Sequence, residues 1–171
     1  MTEDSRRQAR RSGPWWYAPK RWMYRGGRPR ALARAMNSLS SWMYDRGWMT
    51  LGRAATLIVV GRRSGEPISV PVVVTDFEGS RYLVSMLGNE ANWVRNVRAS
   101  GGEATLGAQP VRLVEIPIDE RAPILRLYLQ LAPGARPHIP VSRAAPLSEF
   151  RSVAESYPVF RIEQPVDGHK R

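Results

Sequence analysis

The stretch Thr56-Leu-Ile-Val-Val-Gly-Arg-Arg-Ser-Gly-Glu-Pro-Ile-Ser-Val-Pro-Val-Val-Val74 decides the fold. Two β-branched apolar runs, 57–60 and 68–74, flank a short Gly61-Arg62-Arg63-Ser64-Gly65 connection. Val and Ile suit a pleated surface and Gly with Ser marks a reversal, so the stretch predicts a β-hairpin. Its tip sets two arginines between glycines. Guanidinium groups bind phosphate or carboxylate bidentately, and glycine lets backbone approach an anion closely. Basic hairpin tips also occur as plain solvated turns, and both readings stand on these residues alone.

Outward from the hairpin, 171 residues with 43% hydrophobic content suit one globular domain with a sizeable core. The chain has no cysteine, which excludes disulfides, thiol catalysis and Cys-ligated metal sites. Its two histidines, His138 and His169, argue against a His-rich metal site. A cysteine-free chain is compatible with a cytoplasmic home. The net charge of +11 is uneven. Residues 1–63 hold 14 basic and 3 acidic residues, whereas residues 64–171 hold 12 of each. Five of the six tryptophans also fall in the first part.

Upstream, residues 1–30 form a basic, aromatic-rich arm whose first part is polar enough to be disordered. Arg6-Arg7 and Arg10-Arg11 lack the apolar run that a twin-arginine export signal requires, and no window is apolar enough to span a membrane. From Ala31, the spacing of Leu32, Ala35, Met36, Leu39, Trp42 and Met43 predicts an amphipathic helix ended by Gly47. Interleaved Trp and Arg over 14–48 fit a structural arm, an anionic membrane surface at the inner face of a bacterial membrane, or nucleic acid. No nucleic-acid-binding motif accompanies them, so that last partner is disfavoured.

Downstream, a turn at Asp76-Phe-Glu-Gly-Ser80 leads to a predicted strand over 81–86. A short helix over 92–98 follows, with Asn92 as its cap and Gly101-Gly102 as its stop. A second hairpin, 103–108 with 111–118, is expected around Gln109-Pro110. Asp119 is expected to cap a helix that tolerates Pro123 in its first turn. The Pro-rich loop 133–146 carries His138, a helix near 147–154 follows, and a strand over 159–162 precedes a polar tail at 164–171. Many short strands with few helices predict a small antiparallel barrel.

No self-sufficient catalytic constellation is visible. Dinucleotide-binding, phosphate-loop and nucleophile-elbow motifs are absent, and Ser64 sits fourth rather than third in its glycine-bounded pentapeptide. Asp119-Glu120 reads as helix-start acids. His138 suits a loop role or a catalytic one, and Tyr128 suits the core or proton donation. Chemistry on such a chain would come from a bound cofactor.

The order of motifs is more specific than any one of them. Gly61-Arg-Arg-Ser-Gly65, Val70-Pro-Val72, Asn92-Trp-Val-Arg-Asn96 before Gly101-Gly102, Glu120-Arg-Ala-Pro123 and Tyr157-Pro-Val-Phe160 together resemble the deazaflavin-dependent nitroreductase family over roughly residues 50–163. The resemblance implies a split β-barrel of the FMN-binding type, mainly β with peripheral helices, over 31–163. It implies coenzyme F-420 as cofactor, with FMN, FAD or heme as the alternatives used on related barrels. It also implies that Arg62, Arg63, Ser64 and Gly65 meet the phosphate or the oligoglutamate tail. Ile68, Ser69, Val70, Pro71 and Val72 would run along the cofactor, and Ser85, Met86, Leu87 and Gly88 would face the ring. Asn92, Trp93 and Asn96 would complete the pocket, with Tyr128 on the substrate side. Two positions depart from the pattern. Met86-Leu87 stands where Lys or Gly-Gly is frequent, and Arg63 stands where many members have Lys, which keeps the charge but changes its geometry.

The expectation is a reductase that passes hydride from reduced F-420 to a quinone, enone or nitro compound, with water or Tyr128 giving a proton. The rival expectation is a non-catalytic cofactor or lipid carrier held at the membrane by residues 14–48. A homodimer is compatible with either.

Overall fold

The structure, a computed structural model, describes residues 53–165. The expected basic arm, the helix over 31–47 and most of the polar tail lie outside the described residues.

The hairpin forms as predicted. Strand β1 (Ala54–Val60) pairs antiparallel with β2 (Pro67–Phe77), in register from Ala54 opposite Val73 to Val60 opposite Pro67. β2 turns through Glu78-Gly79, both at positive φ, into β3 (Ser80–Val84). A helix, α1 (Asn92–Ala99), leads to β4 (Glu103–Leu106) and β5 (Gln109–Glu115). A 3-10 turn (Ile118–Glu120), α2 (Arg121–Leu131) and α3 (Leu147–Val153) precede β6 (Val159–Glu163). The strand order β1-β2-β3-β6-β5-β4 closes on itself, because β1 also pairs with β4. The expected antiparallel barrel with peripheral helices is therefore what the chain builds.

Closure explains the continuous apolar runs. Leu57, Val59, Val72, Leu83, Leu106, Val111, Leu113, Phe160 and Ile162, drawn from all six strands, form one buried cluster, which is the barrel interior. Helix α1 adds Trp93, Val94 and Val97 to it, with the Trp93 ring 5.4 Å from that of Phe160. Their neighbours Val73, Val84 and Val159 face the opposite way, into a second cluster under α2 and α3. Strands covered on both faces bury consecutive residues rather than alternate ones.

Four local expectations are corrected. Asn92 does not cap α1: the capping position is Ala91 and no side chain serves it. Asp119 does not cap α2, because the 3-10 turn seeded by Pro117, with Glu120 N–H bonded to its carbonyl at 3.2 Å, takes up both acids first. The β4–β5 turn is Gly107-Ala108, which leaves Pro110 within a strand opposite Thr105. β3 stops at Val84, since the Ser85 hydroxyl bonds the Gly88 carbonyl at 2.8 Å and folds the chain into a turn.

A polar network joins the barrel to its outer helices. The Arg98 guanidinium forks onto Glu115 at 2.7 and 2.8 Å and also bonds Asn89. Arg121, only 5% exposed, bonds Glu115 at 3.0 Å and the carbonyls of Ile116 and Ala154 at 3.1 and 3.2 Å. Removing a buried guanidinium leaves those acceptors unmet, so Arg121→Ala should cost about 3 kcal/mol, read as a lower urea midpoint. The Arg98 hydrogen bond, with the charges of both arginines, holds the Glu115 carboxyl below the usual range, although partial burial opposes it. A depressed folded pKa stabilises at neutral pH and is lost as pH falls through it. The stability advantage over Glu115→Gln should therefore be full at neutral pH and shrink below the usual glutamate range, as followed by urea denaturation against pH.

Candidate functional site

The hairpin tip is built, not merely tolerated. Gly61 N–H bonds the Glu66 carbonyl and Gly65 N–H bonds the Gly61 carbonyl, both at 2.8 Å, with Gly65 at φ 69°. A Cβ on Gly61 would sit 2.5 Å from the Ser64 hydroxyl oxygen, so any side chain there would make Ser64 shift. Arg62, Arg63 and Ser64 are exposed around it, with Glu66 as the neighbouring acid.

One side chain fixes this tip to the barrel. Asn96, 2% exposed on α1, accepts from the Arg62 backbone N–H at 3.2 Å and from the Arg62 guanidinium at 2.9 Å. The guanidinium is thereby oriented while its other donors stay available, and Arg63 stands beside it. An anion meeting the positioned Arg62 guanidinium, with Arg63 adjacent, makes charge-assisted bonds without first ordering the loop.

The strand leaving the tip has one open edge. β2 is paired with β1 from Pro67, but with β3 only from Val74 onward. The bonds Gly61 N–H to Glu66 O and Val74 N–H to Arg53 O set the parity of the ladder. Even-numbered residues of β2 bond toward β1, and odd-numbered ones point their backbone groups outward. Pro67 and Pro71 both fall on outward positions, where a missing N–H breaks no ladder bond. Between them, Ser69 keeps an outward N–H beside its outward carbonyl. An edge of that kind offers a donor and an acceptor side by side, the pattern complementary to a cyclic imide.

At the far side of α1, the turn 85–88 lines an open depression of about 280 Å³ with Met86, Leu87, Gly88, His138, Ser156 and Tyr157. Gly88, at φ 76°, lies so close to this wall that a Cβ would be 3.0 Å from the Ser156 carbonyl. Leu87 is 60% exposed. Extended chain from Gly88 to Asn92 and one turn of helix keep Gly88 within about 20 Å of Asn96, the residue that bonds the tip.

The predicted site residues thus separate into two groups. Arg62, Arg63, Ser64, Gly65, Ile68, Leu87 and Asn92 are exposed, and Ser69, Val70, Pro71, Met86 and Gly88 are half-buried. Val72 and Trp93 are buried in the barrel interior, Ser85 is spent on its own turn, and Asn96 holds Arg62. Those four frame the surface rather than form it. Tyr128 is placed differently from the expectation: at 2% exposure it belongs to the core under α2, and burial pushes its phenol up. A phenol kept protonated inside the core is a packing residue. The pattern also missed Arg121 and Glu115, whose partners lie up to 33 residues away, and Ser156 and Tyr157, which no local signal places beside Gly88. Among the described residues no group of three metal-ligating side chains occurs, and no helix is long and apolar enough to cross a membrane.

No family model matches the chain, and no curated protein does. Among solved structures, a protein of unknown function from Agrobacterium tumefaciens superposes with a TM-score of 0.48 at 15% identity, over 66% of this chain and 48% of that one. The chain therefore spans about half the length of that protein. An F-420-H2 dependent reductase gives 0.43 at 21% identity, over 66% and 95%. A heme binding protein from Mycobacterium smegmatis gives 0.45 at 16%, over 64% and 45%. The barrel itself is established by the strand pairings given above.

The parity of the open edge is directly testable. Ser69→Pro removes an outward N–H and should cost little stability, whereas Val70→Pro removes a ladder bond and should cost about 3 kcal/mol or more. Urea midpoints of the two variants should therefore differ widely despite adjacent positions.

Proposed function

We propose that the chain is a deazaflavin-dependent oxidoreductase that binds coenzyme F-420 along the open edge of β2. The carrying observation is Arg62, oriented by buried Asn96 and with exposed Arg63 next to it in the chain, at the end of a strand edge whose prolines spare one outward donor. Supporting it, the order of motifs across roughly residues 50–163 resembles that of the deazaflavin-dependent nitroreductases.

The donor set fits such a ligand. Arg62 and Arg63 would hold the phosphate and the carboxylate tail. The outward amide and carbonyl of Ser69 would meet the imide edge of the ring. Met86 and Leu87 would lie against the ring's apolar surface, and the turn closed by Ser85 would keep them in place. When bound, a reduced deazaflavin supplies hydride for an electron-poor quinone, enone or nitro compound. The chain's own part is to orient the ring edge, to neutralise the distant anionic end and to keep water from one ring face.

A membrane-facing role for residues 14–48 is a separate part of the proposal, favoured by a charge excess of +11 confined to residues 1–63. It predicts sedimentation with anionic vesicles that added salt reverses.

F-420 fluorescence titration tests the main reading. Each charge-assisted bond contributes on the order of 1.5–3 kcal/mol, so Arg62→Ala with Arg63→Ala should weaken binding by about 100-fold or more. The urea midpoint should fall only slightly, because Arg63 is exposed and the Arg62 backbone N–H still serves Asn96 when the guanidinium is gone. A parent chain that leaves F-420 fluorescence unchanged would refute the reading.

A further inference from the structure

The loop 133–146 has no part in the reading above, yet one side of the depression is made from it. Ala135 and Ile139 are buried anchors, and His138 and Ile139 N–H groups both bond the Ala135 carbonyl, at 3.0 and 3.2 Å. The Tyr157 hydroxyl donates to the His138 carbonyl at 2.7 Å. An exposed His138 is thus held between two anchors, opposite the 85–88 turn.

The volume decides what fits there. At about 280 Å³ the depression lies near the lower end of small-molecule sites, which run from roughly 300 to 1,000 Å³. That suits a one- or two-ring acceptor and not a second large cofactor. Met86 and Leu87 give it an apolar wall, and Tyr157 gives it an aromatic one whose hydroxyl proton is already committed. His138 is the only histidine among the described residues, and an imidazole ring nitrogen can donate a hydrogen bond or pass on its proton. With Tyr128 buried, water is the proton source that remains from the expectation, and His138 is a positioned alternative to it.

We propose that this depression is the acceptor subsite, and that His138 hydrogen-bonds the acceptor's oxygen and protonates it during reduction. The proposal rests on the hydride-transfer reading above. For an enone, a C–H bond forms at the β-carbon with the incoming hydride pair. The C=C π pair shifts to give an enolate, whose oxygen takes the proton from the His138 imidazolium. The acceptor gains two electrons and the hydride donor, a reduced deazaflavin, loses two. Water at the open mouth restores the imidazole proton and carries the tautomerisation of the enol. For a quinone the same hydride and proton, with a later aromatising shift, give the hydroquinone.

Two measurements test it on the full chain. In a chain labelled with 13C-histidine, menadione as probe should shift the His138 ring signal saturably and leave that of His169 unmoved. An unmoved His138 signal at menadione concentrations that support turnover overturns the subsite. His138→Gln should lower F-420-dependent menadione reduction by about 100-fold, in line with the loss of a positioned general acid, while F-420 affinity by fluorescence stays that of the parent. Full turnover by His138→Gln with F-420 still bound overturns the inference and leaves the reductase reading intact. Failure of the parent chain to bind F-420 overturns both.

Discussion

The register between β1 and β2 is the constraint from which the rest follows. Once Gly61 bonds Glu66 and Val74 bonds Arg53, every backbone group of β2 is assigned to the ladder or to the outside. The same parity sends Val72 into the barrel and Val73 under α2. It also puts both prolines where their missing N–H is harmless. A slip by one residue would invert the two faces and place Pro71 in the ladder, at a cost near 3 kcal/mol for that bond alone. The sequence Pro-x-x-x-Pro in this strand therefore acts as a register lock. It also protects the edge, since a strand with few free donors is a poor template for pairing with another chain.

Two buried polar side chains convert the barrel into a scaffold for a surface site. Burying an amide or guanidinium without partners costs several kcal/mol, so each is tolerable only where its bonds are made. Asn96 meets that requirement by accepting twice from Arg62, and Arg121 by capping two carbonyls and sharing Glu115. In both cases satisfying the buried group orders something else: the tip in one, the junction of β5, α2 and the segment after α3 in the other. A solvent-exposed ion pair would not have the same effect, because its net contribution is near zero to 1 kcal/mol and either partner can let go.

The barrel was legible because its evidence is local. Val- and Ile-rich runs, a Gly-bounded tip and the two-residue turn at Glu78-Gly79 each signal strand or reversal within a few residues. Element ends were less so: Pro117 seeded a 3-10 turn that displaced the expected cap at Asp119, and Gly107 took the turn expected at Pro110. The tip residues were legible as a cluster, but whether they were free or fixed depended on Asn96, 34 residues from Arg62. Likewise, Tyr128 shares a helical face with Leu125 and Leu129, and periodicity alone does not tell a core tyrosine from one at a rim. His138 looked like an isolated loop residue, because its partner Tyr157 lies 19 residues on.

The separation between tip and depression has an energetic meaning in the proposed reading. In the proposed reductase, charge-assisted bonds at the tip would be equally strong before and during reduction, so they would raise occupancy without favouring the reacting geometry. Only groups near the reacting atoms, such as an outward Ser69 amide or a proton donor at His138, can bind the transition state better than the ground state. An anionic tail held at the tip lets the ring end be oriented by few and weak contacts. That is consistent with the proposed ring-side wall of Met86 and Leu87, which would add shape and exclusion of water but little specificity of its own. The proposed large, well-anchored ligand with a small, shallow acceptor subsite would thus divide affinity from chemistry between the tip held by Asn96 and the turn that precedes α1, and α1 is itself fixed by burying Trp93, Val94 and Val97 in the barrel.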